Sequence, residues 1–416
     1  MHIELPPQVE QIIERLAEHG YEAYAVGGCV RDTLLGRCPG DWDITTSARP
    51  EQIKALFRRT IDTGIQHGTV TVMMEGEGYE VTTYRIDGEY EDGRHPKQVK
   101  FTSDLLEDLR RRDFTINAMA YSHRTGIVDA FGGIEDLERK RIRCVGSAAE
   151  RFEEDALRIL RAIRFSAQLD FAVDEETWNA IKLIAPNLNK VSRERVQMEL
   201  TKLLCSDHPE RIGQVYETGM APYVTPDFAD LSWQTACFPK DSPRKKYVRW
   251  AAFLRCGRAA LQADGRQLEA EPGGAEWERE RAAFAVRILR DLKLDNDTIG
   301  KVRTLVAWSG VILPLEAPSV RRAMSRMEPE VWDSLAVLNG WGAELVEMAE
   351  RIRRRGDCLS LKQLAVNGQD LIAEGIAPGR EIGRILGVMF EEVLDHPEHN
   401  KKELLIPWYF SEKGRA

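Results

Sequence analysis

Two carboxylates spaced i and i+2, Asp41 and Asp43, are the side chains here best suited to chemistry. The segment Asp41–Thr45 reads as a strand, and alternate strand residues leave the same face, so both carboxylates project together. Paired hard oxygens suit Mg²⁺, with substrate phosphates completing its octahedron. A two-metal site of that kind activates an attacking hydroxyl and stabilises departing pyrophosphate. The spacing alone is a weak signal, and the chain supplies its own control. Asp295-Asn296-Asp297 repeats it where a helix is expected to begin, and there N-capping is the better account.

What sets Asp41 and Asp43 apart is the upstream run Gly27-Gly28-Cys29-Val30-Arg31-Asp32. It follows a strand and opens a helix. Glycines let a triphosphate approach the backbone, the helix start offers free N–H groups, and Arg31 can give a bidentate phosphate contact. A plain strand–turn–helix joint would read the same way. The run matches neither a Walker A loop nor G-x-G-x-x-G.

The elements around these residues predict a compact α/β unit followed by a helical array. Val9, Ile12, Ile13 and Leu16 fall at helical spacing over 7–19, and Gly20 ends that helix. A strand over Tyr21–Val26 leads into the glycines, and the next helix ends near Gly36. A helix over 50–59 precedes a hairpin of Thr69–Met74 and Tyr79–Arg85, split at Gly76-Glu77-Gly78. Residues 86–98 read as a polar loop. From about 147 onward the period is helical, and Ala263–Gly274 is the best linker candidate.

Composition narrows the setting. The 416 residues carry a net charge of −9, which excludes wholesale electrostatic coating of nucleic acid and demands a local basic surface. Arginine clusters at 110–112, 139–143, 158–164 and 353–355 could build one, although each alone reads as a solvated helix face. Nothing approaches the roughly 20 apolar residues of a membrane span, and the N-terminus lacks a signal-peptide pattern. Seven scattered cysteines without a C-x-x-C pair point to reduced thiols in a cytoplasmic protein. Cys205-x-x-His208 has no second pair to complete a zinc site.

Taken in order, the motifs closely resemble those of class II tRNA nucleotidyltransferases and bacterial poly(A) polymerases, in the polymerase-β-like nucleotidyltransferase superfamily. Gly27-Gly28-x-x-Arg31-Asp32 and Gly40-Asp41-x-Asp43 resemble the head motif. Arg111-Arg112-Asp113-Phe114-Thr115-Ile116-Asn117-Ala118-Met119-Ala120 looks like the ribose-sensing motif. Glu154-Asp155-x-x-Arg158-x-x-Arg161-x-x-Arg164-Phe165 looks like the base-reading helix, and Ser192-x-Glu194-Arg195-x-x-x-Glu199-Leu200 like the segment that steadies the neck. Asn367-Gly368-x-Asp370-Leu371 and Pro378-Gly379-x-x-Ile382-Gly383-x-x-Leu386 carry the likeness into the tail, so that it spans residues 22–405.

This resemblance implies an elongated protein whose α/β nucleotidyltransferase head, with a small mixed or antiparallel sheet, occupies 1–145. An all-α neck (146–205), body (206–335) and tRNA-binding tail (336–416) would follow. It implies template-free addition of C, C and A to the 3′ end of tRNA from CTP and ATP, with two Mg²⁺ ions and no membrane partner. Asp41 and Asp43 would hold the metals, and Gly27, Gly28 and Arg31 the triphosphate. Arg112, Asp113 and Asn117 would contact the sugar or phosphates, although a solvated helix start with paired charges reads as well for the first two. Glu80 would help deprotonate the RNA 3′-hydroxyl; an exposed strand glutamate is the alternative.

On a helix over 153–165, Asp155 and Arg158 are three apart and hence neighbours. An acceptor beside a bidentate donor fits the amino group and ring nitrogen of both cytosine and adenine, and leaves uracil and guanine mismatched. The bland alternative is an ordinary Glu154–Arg158 surface pair. Arg161 and Arg164 would reach phosphates or buttress the fork, since steps of three drift round the helix. The loop over 86–96, with Gly88 and Gly93 as hinges, is the candidate for reshaping the pocket between C and A addition. Its length disfavours CC-only addition and the compact tail disfavours poly(A) synthesis. A-only addition stays open, whereas a non-catalytic RNA-binding role is disfavoured because the paired carboxylates and the Asp155–Arg158 fork are intact.

Overall fold

The computed structural model describes residues 2–87, 99–257 and 275–411. The loop tip at 88–98 and the linker candidate Ala263–Gly274 lie outside the described residues. The chain divides into two units, 1–234 with 288–294 and 235–287 with 295–416.

The first unit begins with α1 (Pro7–Glu18), whose buried residues Val9, Ile12, Ile13 and Leu16 form the expected apolar stripe. β1 (Ala23–Val26) comes next, two residues shorter than predicted and buried throughout, and runs into α2 (Gly28–Leu34). Then come β2 (Ile44–Thr46), α3 (Pro50–Leu56), β3 (Thr60–Gly64), β4 (Thr69–Met74) and β5 (Glu77–Thr83). β6 (Arg85–Asp87) and β7 (Val99–Phe101) pair as a separate hairpin, so the predicted loop starts later than residue 86. After α4 (Leu105–Arg110) the chain forms β8 (Ala120–Ser122), β9 (Gly126–Val128), α5 (Gly133–Glu138) and β10 (Arg141–Ile142).

The main sheet has seven strands in the order β3-β4-β5-β2-β1-β8-β9. It is mixed: β2 and β5 run parallel, and the other neighbours are antiparallel. The parallel pairing matters most for placing carboxylates, because Ile44 faces Val81 in register and so sets Asp43 beside Glu80. Other boundaries differ from expectation as well. Asp41 and Asp43 precede β2 rather than lying in it, although Asp43 continues its pairing by accepting the Val26 N–H at 3.0 Å. The helix predicted over 50–59 stops at Leu56, and β3 was missed because its central residues are exposed and mostly polar, leaving no apolar alternation to read. The β4–β5 turn is at Glu75-Gly76, with Glu77 and Gly78 already in the ladder.

Four helices complete the functional part of this unit: α6 (Ala148–Glu154), α7 (Leu157–Leu169), α8 (Glu175–Ile184) and α9 (Arg193–Leu204). Between α7 and α8, β11 (Ala172–Val173) pairs in parallel with β10, a small strand contact inside a region that reads as helical. α7 is buried along most of its length and packs on α9. The continuous helix expected over 153–165 is instead broken. Asp155 is extended (φ −142°, ψ 100°) and its carboxylate accepts the Leu157 N–H at 3.1 Å, an N-terminal cap for α7.

The second unit is helical. Val320, Trp332 and Ile352 belong to one of its cores, and Leu371, Met389, Val393 and Leu405 to another. Asp295 caps helix Asn296–Ala307 by accepting from the Thr298 N–H at 2.8 Å, as the capping reading predicts. Asn367 and Asp370 form a reciprocal capping box, which accounts for the tail motif locally.

Candidate active site

The turn from β1 into α2 can only be built with glycine at position 27. Its φ is 82°, and a Cβ there would stand 2.8 Å from Nη1 of Arg112. Arg112 thus lies against the backbone that opens α2. Its Nε is buried without a hydrogen-bond partner, while Nη2 lies 3.5 Å from Asp108.

Asp43, at the entrance to β2, is within electrostatic reach of the same guanidinium. Lost hydration raises the Asp43 pKa; Arg112 opposes the rise and Asp41 adds to it. Glu80, on the adjoining strand β5, is pushed upward by lost hydration and then by the charges of Asp43 and Asp41. Neighbouring carboxylate charges therefore make Asp43 and Glu80 harder to ionise. A divalent cation relieves that kind of repulsion. Among the described residues no three or more His, Cys, Asp or Glu side chains converge as a ready metal cage. This donor set fits a cation that shares its remaining ligands with substrate oxygens, as Mg²⁺ does.

A second cluster starts one helical turn away. Arg31 is buried, and its fork is occupied: Nε and Nη2 each donate to Asp32 at 2.9 Å, and Nη1 donates to Asn117 Oδ1 at 2.6 Å. Asn117 passes the chain on, donating through Nδ2 to Asp113 at 3.0 Å. The other Asp113 oxygen receives Nε and Nη2 of Arg161 at 2.8 and 2.6 Å. Burial would raise the Asp113 pKa, but Arg161, the Asn117 hydrogen bond and Arg158 hold it well below the ordinary range. Arg164, two positions before Ser166 on α7, pairs with the buried Glu199 of α9 at 3.0 Å. Residues of α2, of the segment 113–117 and of α7 are thereby tied into one polar chain.

The proposed base-reading residues have their own partners. Asp155 receives both terminal nitrogens of Arg195, at 3.2 and 2.7 Å. Arg158 donates to Glu154 at 2.7 Å and to the carbonyls of Arg151 and Arg111 at 3.0 and 3.1 Å. The two do not sit on one helix surface, because the break at Asp155 lies between them. The Glu154–Arg158 pair of the bland alternative exists, but it is largely buried rather than a solvated surface contact.

Sequence reasoning missed Asp108. It is fully buried on α4 and accepts Arg111 Nε and Nη2 at 2.9 and 2.8 Å, Thr45 Oγ1 at 3.1 Å and the Arg85 N–H at 3.3 Å. Burial would raise its pKa, yet Arg111 and Arg112 bring it below the usual range. The available signal was a carboxylate three and four residues before two arginines.

Comparison with known proteins places this geometry. The Poly A polymerase head domain family matches residues 23–143, which hold both clusters up to Asn117. The family described as "Probable RNA and SrmB- binding site of polymerase A" matches 170–231, and that described as "tRNA nucleotidyltransferase domain 2 putative" matches 281–409. A CCA-adding enzyme of Geobacillus kaustophilus is 40% identical over 416 residues, covering 97% of each chain. The chain belongs to the CCA-adding enzyme family. Another such enzyme, from Leuconostoc citreum, is 36% identical over 96% of this chain and 95% of its own. Among solved structures, the Bacillus stearothermophilus CCA-adding enzyme in complex with CTP aligns with a TM-score of 0.77 at 35% identity, covering 97% of each chain. The Thermotoga maritima CCA-adding enzyme complexed with tRNA shares the fold at a TM-score of 0.59 and 21% identity, with 98% of each chain covered. Family membership fits the mixed-sheet head and helical remainder described above. Among the described residues no helix is long and apolar enough to cross a membrane, and all seven cysteines are free.

Proposed function

We propose that this chain is a CCA tRNA nucleotidyltransferase, adding C, C and A without a nucleic-acid template to the 3′ end of tRNA from CTP and ATP and releasing pyrophosphate. The observation that carries the reading is the parallel β2–β5 pairing that sets Asp43 beside Glu80, with Asp41, Arg112 and the Gly27 turn close by. Asp41 and Asp43 would hold Mg²⁺, which supplies a hydroxyl of lowered pKa and charge stabilisation for the leaving group. Arg112, with an unpartnered Nε, donates to the triphosphate above the Gly27-Gly28 backbone. Arg31 acts behind it, orienting Asn117 and adding positive field, because its own fork is engaged by Asp32. Glu80, set beside Asp43 by the parallel β2–β5 pairing, takes up the proton of the RNA 3′-hydroxyl.

Base selection falls to Asp155 and Arg158, with Arg195 and Glu154 holding their side chains until a base replaces part of those contacts. Asp113, Asn117, Arg161 and Arg164 keep the sugar and base ends of the site in register. We further propose the division into head (1–145), neck (146–205), body (206–335) and tail (336–416), and a cytoplasmic setting in line with the free thiols. Incubation with Mg²⁺, labelled CTP or ATP and tRNA ending either before CCA or after CC tests the proposal. Sequential C, C and A incorporation is expected. Labelling by ATP alone would mean A-only addition, long A tracts a poly(A) polymerase, and no labelling a non-catalytic relative.

A further inference from the structure

Three guanidinium groups converge on one aromatic ring. Arg31 of α2 lies 5.1 Å from the centroid of Phe165, Arg161 5.4 Å and Arg164 4.0 Å. The ring is buried and meets Phe114 edge-on, at 5.7 Å and 82°, so its plane is locked to the segment that also carries Asp113. Like charges brought this close repel, and the three carboxylates nearby do not share the work evenly. Asp32 pairs with Arg31 and Asp113 with Arg161, while Glu199 pairs with Arg164 and stands 3.9 Å from Arg161. Arg164 Nε makes no hydrogen bond despite its 3.0 Å approach to Glu199. Its direction is therefore set by the ring face rather than by a directed donor–acceptor contact. None of the three carboxylates touches all three arginines; the ring does.

We infer that Phe165 is a positioning residue for nucleotide choice: through Arg31, Arg161 and Arg164 it fixes the spacing between the triphosphate end and the base-reading end of the site. The inference rests on the function proposed above. Loss of the ring leaves Arg31 and Arg161 joined only through Asn117 and Asp113, and Arg164 without its aromatic face, so a mismatched base finds room to adjust. Geometry at the base end should suffer more than the chemical step.

The test compares Phe165→Leu, which keeps apolar bulk without a π face, with Phe165→Tyr, which keeps the face. For each, kcat and KM are measured for CTP, ATP, UTP and GTP on tRNA lacking CCA or ending in CC, together with Tm. Phe165→Leu is expected to lower the CTP-over-UTP and ATP-over-GTP ratios of kcat/KM by roughly tenfold, mainly through KM, with Phe165→Tyr within about twofold of wild type. If the leucine variant does not fold, Phe165→Met is read by the same ratios. Unchanged ratios in the variant without a π face, even with a lower Tm or uniformly slower addition, would overturn the inference. So would a tyrosine variant as unselective as the leucine one. Wild-type protein that adds neither nucleotide would instead overturn the functional reading and this inference with it.

Discussion

Replacing Asp113 by Asn removes one charge and almost no volume, which isolates the electrostatics of the link between α7 and the segment after α4. Asp113 accepts four hydrogen bonds, two from Arg161, one from Asn117 and one from the Phe114 N–H. Its side chain is 9% exposed and that of Arg161 32%. Without the carboxylate, Arg161 keeps the charge of Glu199, 3.9 Å away, a weaker influence from Asp155 and the face of Phe165. Removing one partner of a buried pair costs about 3–5 kcal/mol, and the partial exposure of Arg161 places Asp113→Asn near the lower end, about 3 kcal/mol. For a unit of this size that corresponds to a Tm decrease of roughly 6–12 °C. Calorimetry and urea unfolding at neutral pH measure it. The double replacement Asp113→Leu with Arg161→Met removes both charges and should lie closer to wild type than Asp113→Leu alone. A loss below about 1 kcal/mol for Asp113→Asn, or a double variant as unstable as the sum of its parts, would refute the claim that this pair holds the two elements together.

The same pair predicts a pH dependence. The folded pKa of Asp113 is depressed despite burial, so its contribution is fully present above the unfolded value of about 3.9 and is lost as pH falls from there toward the folded value. The stability gap between wild type and Asp113→Asn should be flat from about pH 8 to about pH 5 and shrink below about pH 4; a gap that widens on acidification would contradict this. Asp41→Asn and Asp43→Asn should each cut C and A addition by more than about a hundredfold while tRNA affinity, measured by filter binding, stays unchanged. Arg158→Ala should relax discrimination against UTP and GTP, and Asp155→Ala should depress use of CTP and ATP together. Four-nucleotide kcat/KM measurements check both, and equal slowing of all four would move base reading elsewhere.

Much of this protein was legible before any tertiary structure. The stripe of Val9, Ile12, Ile13 and Leu16 specified α1, and the capping role of Asp295 arises from residues within one turn. The glycine turn at Gly27 and the order of the motifs were equally visible, because each is a property of a few consecutive residues. Partner choice was not. Asp113 finds Arg161 across 48 positions, Asp155 finds Arg195 across 40, and Arg31 finds Asn117 across 86. Spacing within a motif made Asp155 and Arg158 look like neighbours on one helix, yet Asp155 caps the next helix instead and the chain bends between them. Glu80 meets Asp43 only because β5 runs parallel to β2, a pairing no local pattern encodes. Periodicity and capping are short-range and write themselves into adjacent residues. Which buried charge answers which depends on the packing that removes water from both, and that exists only in the folded chain.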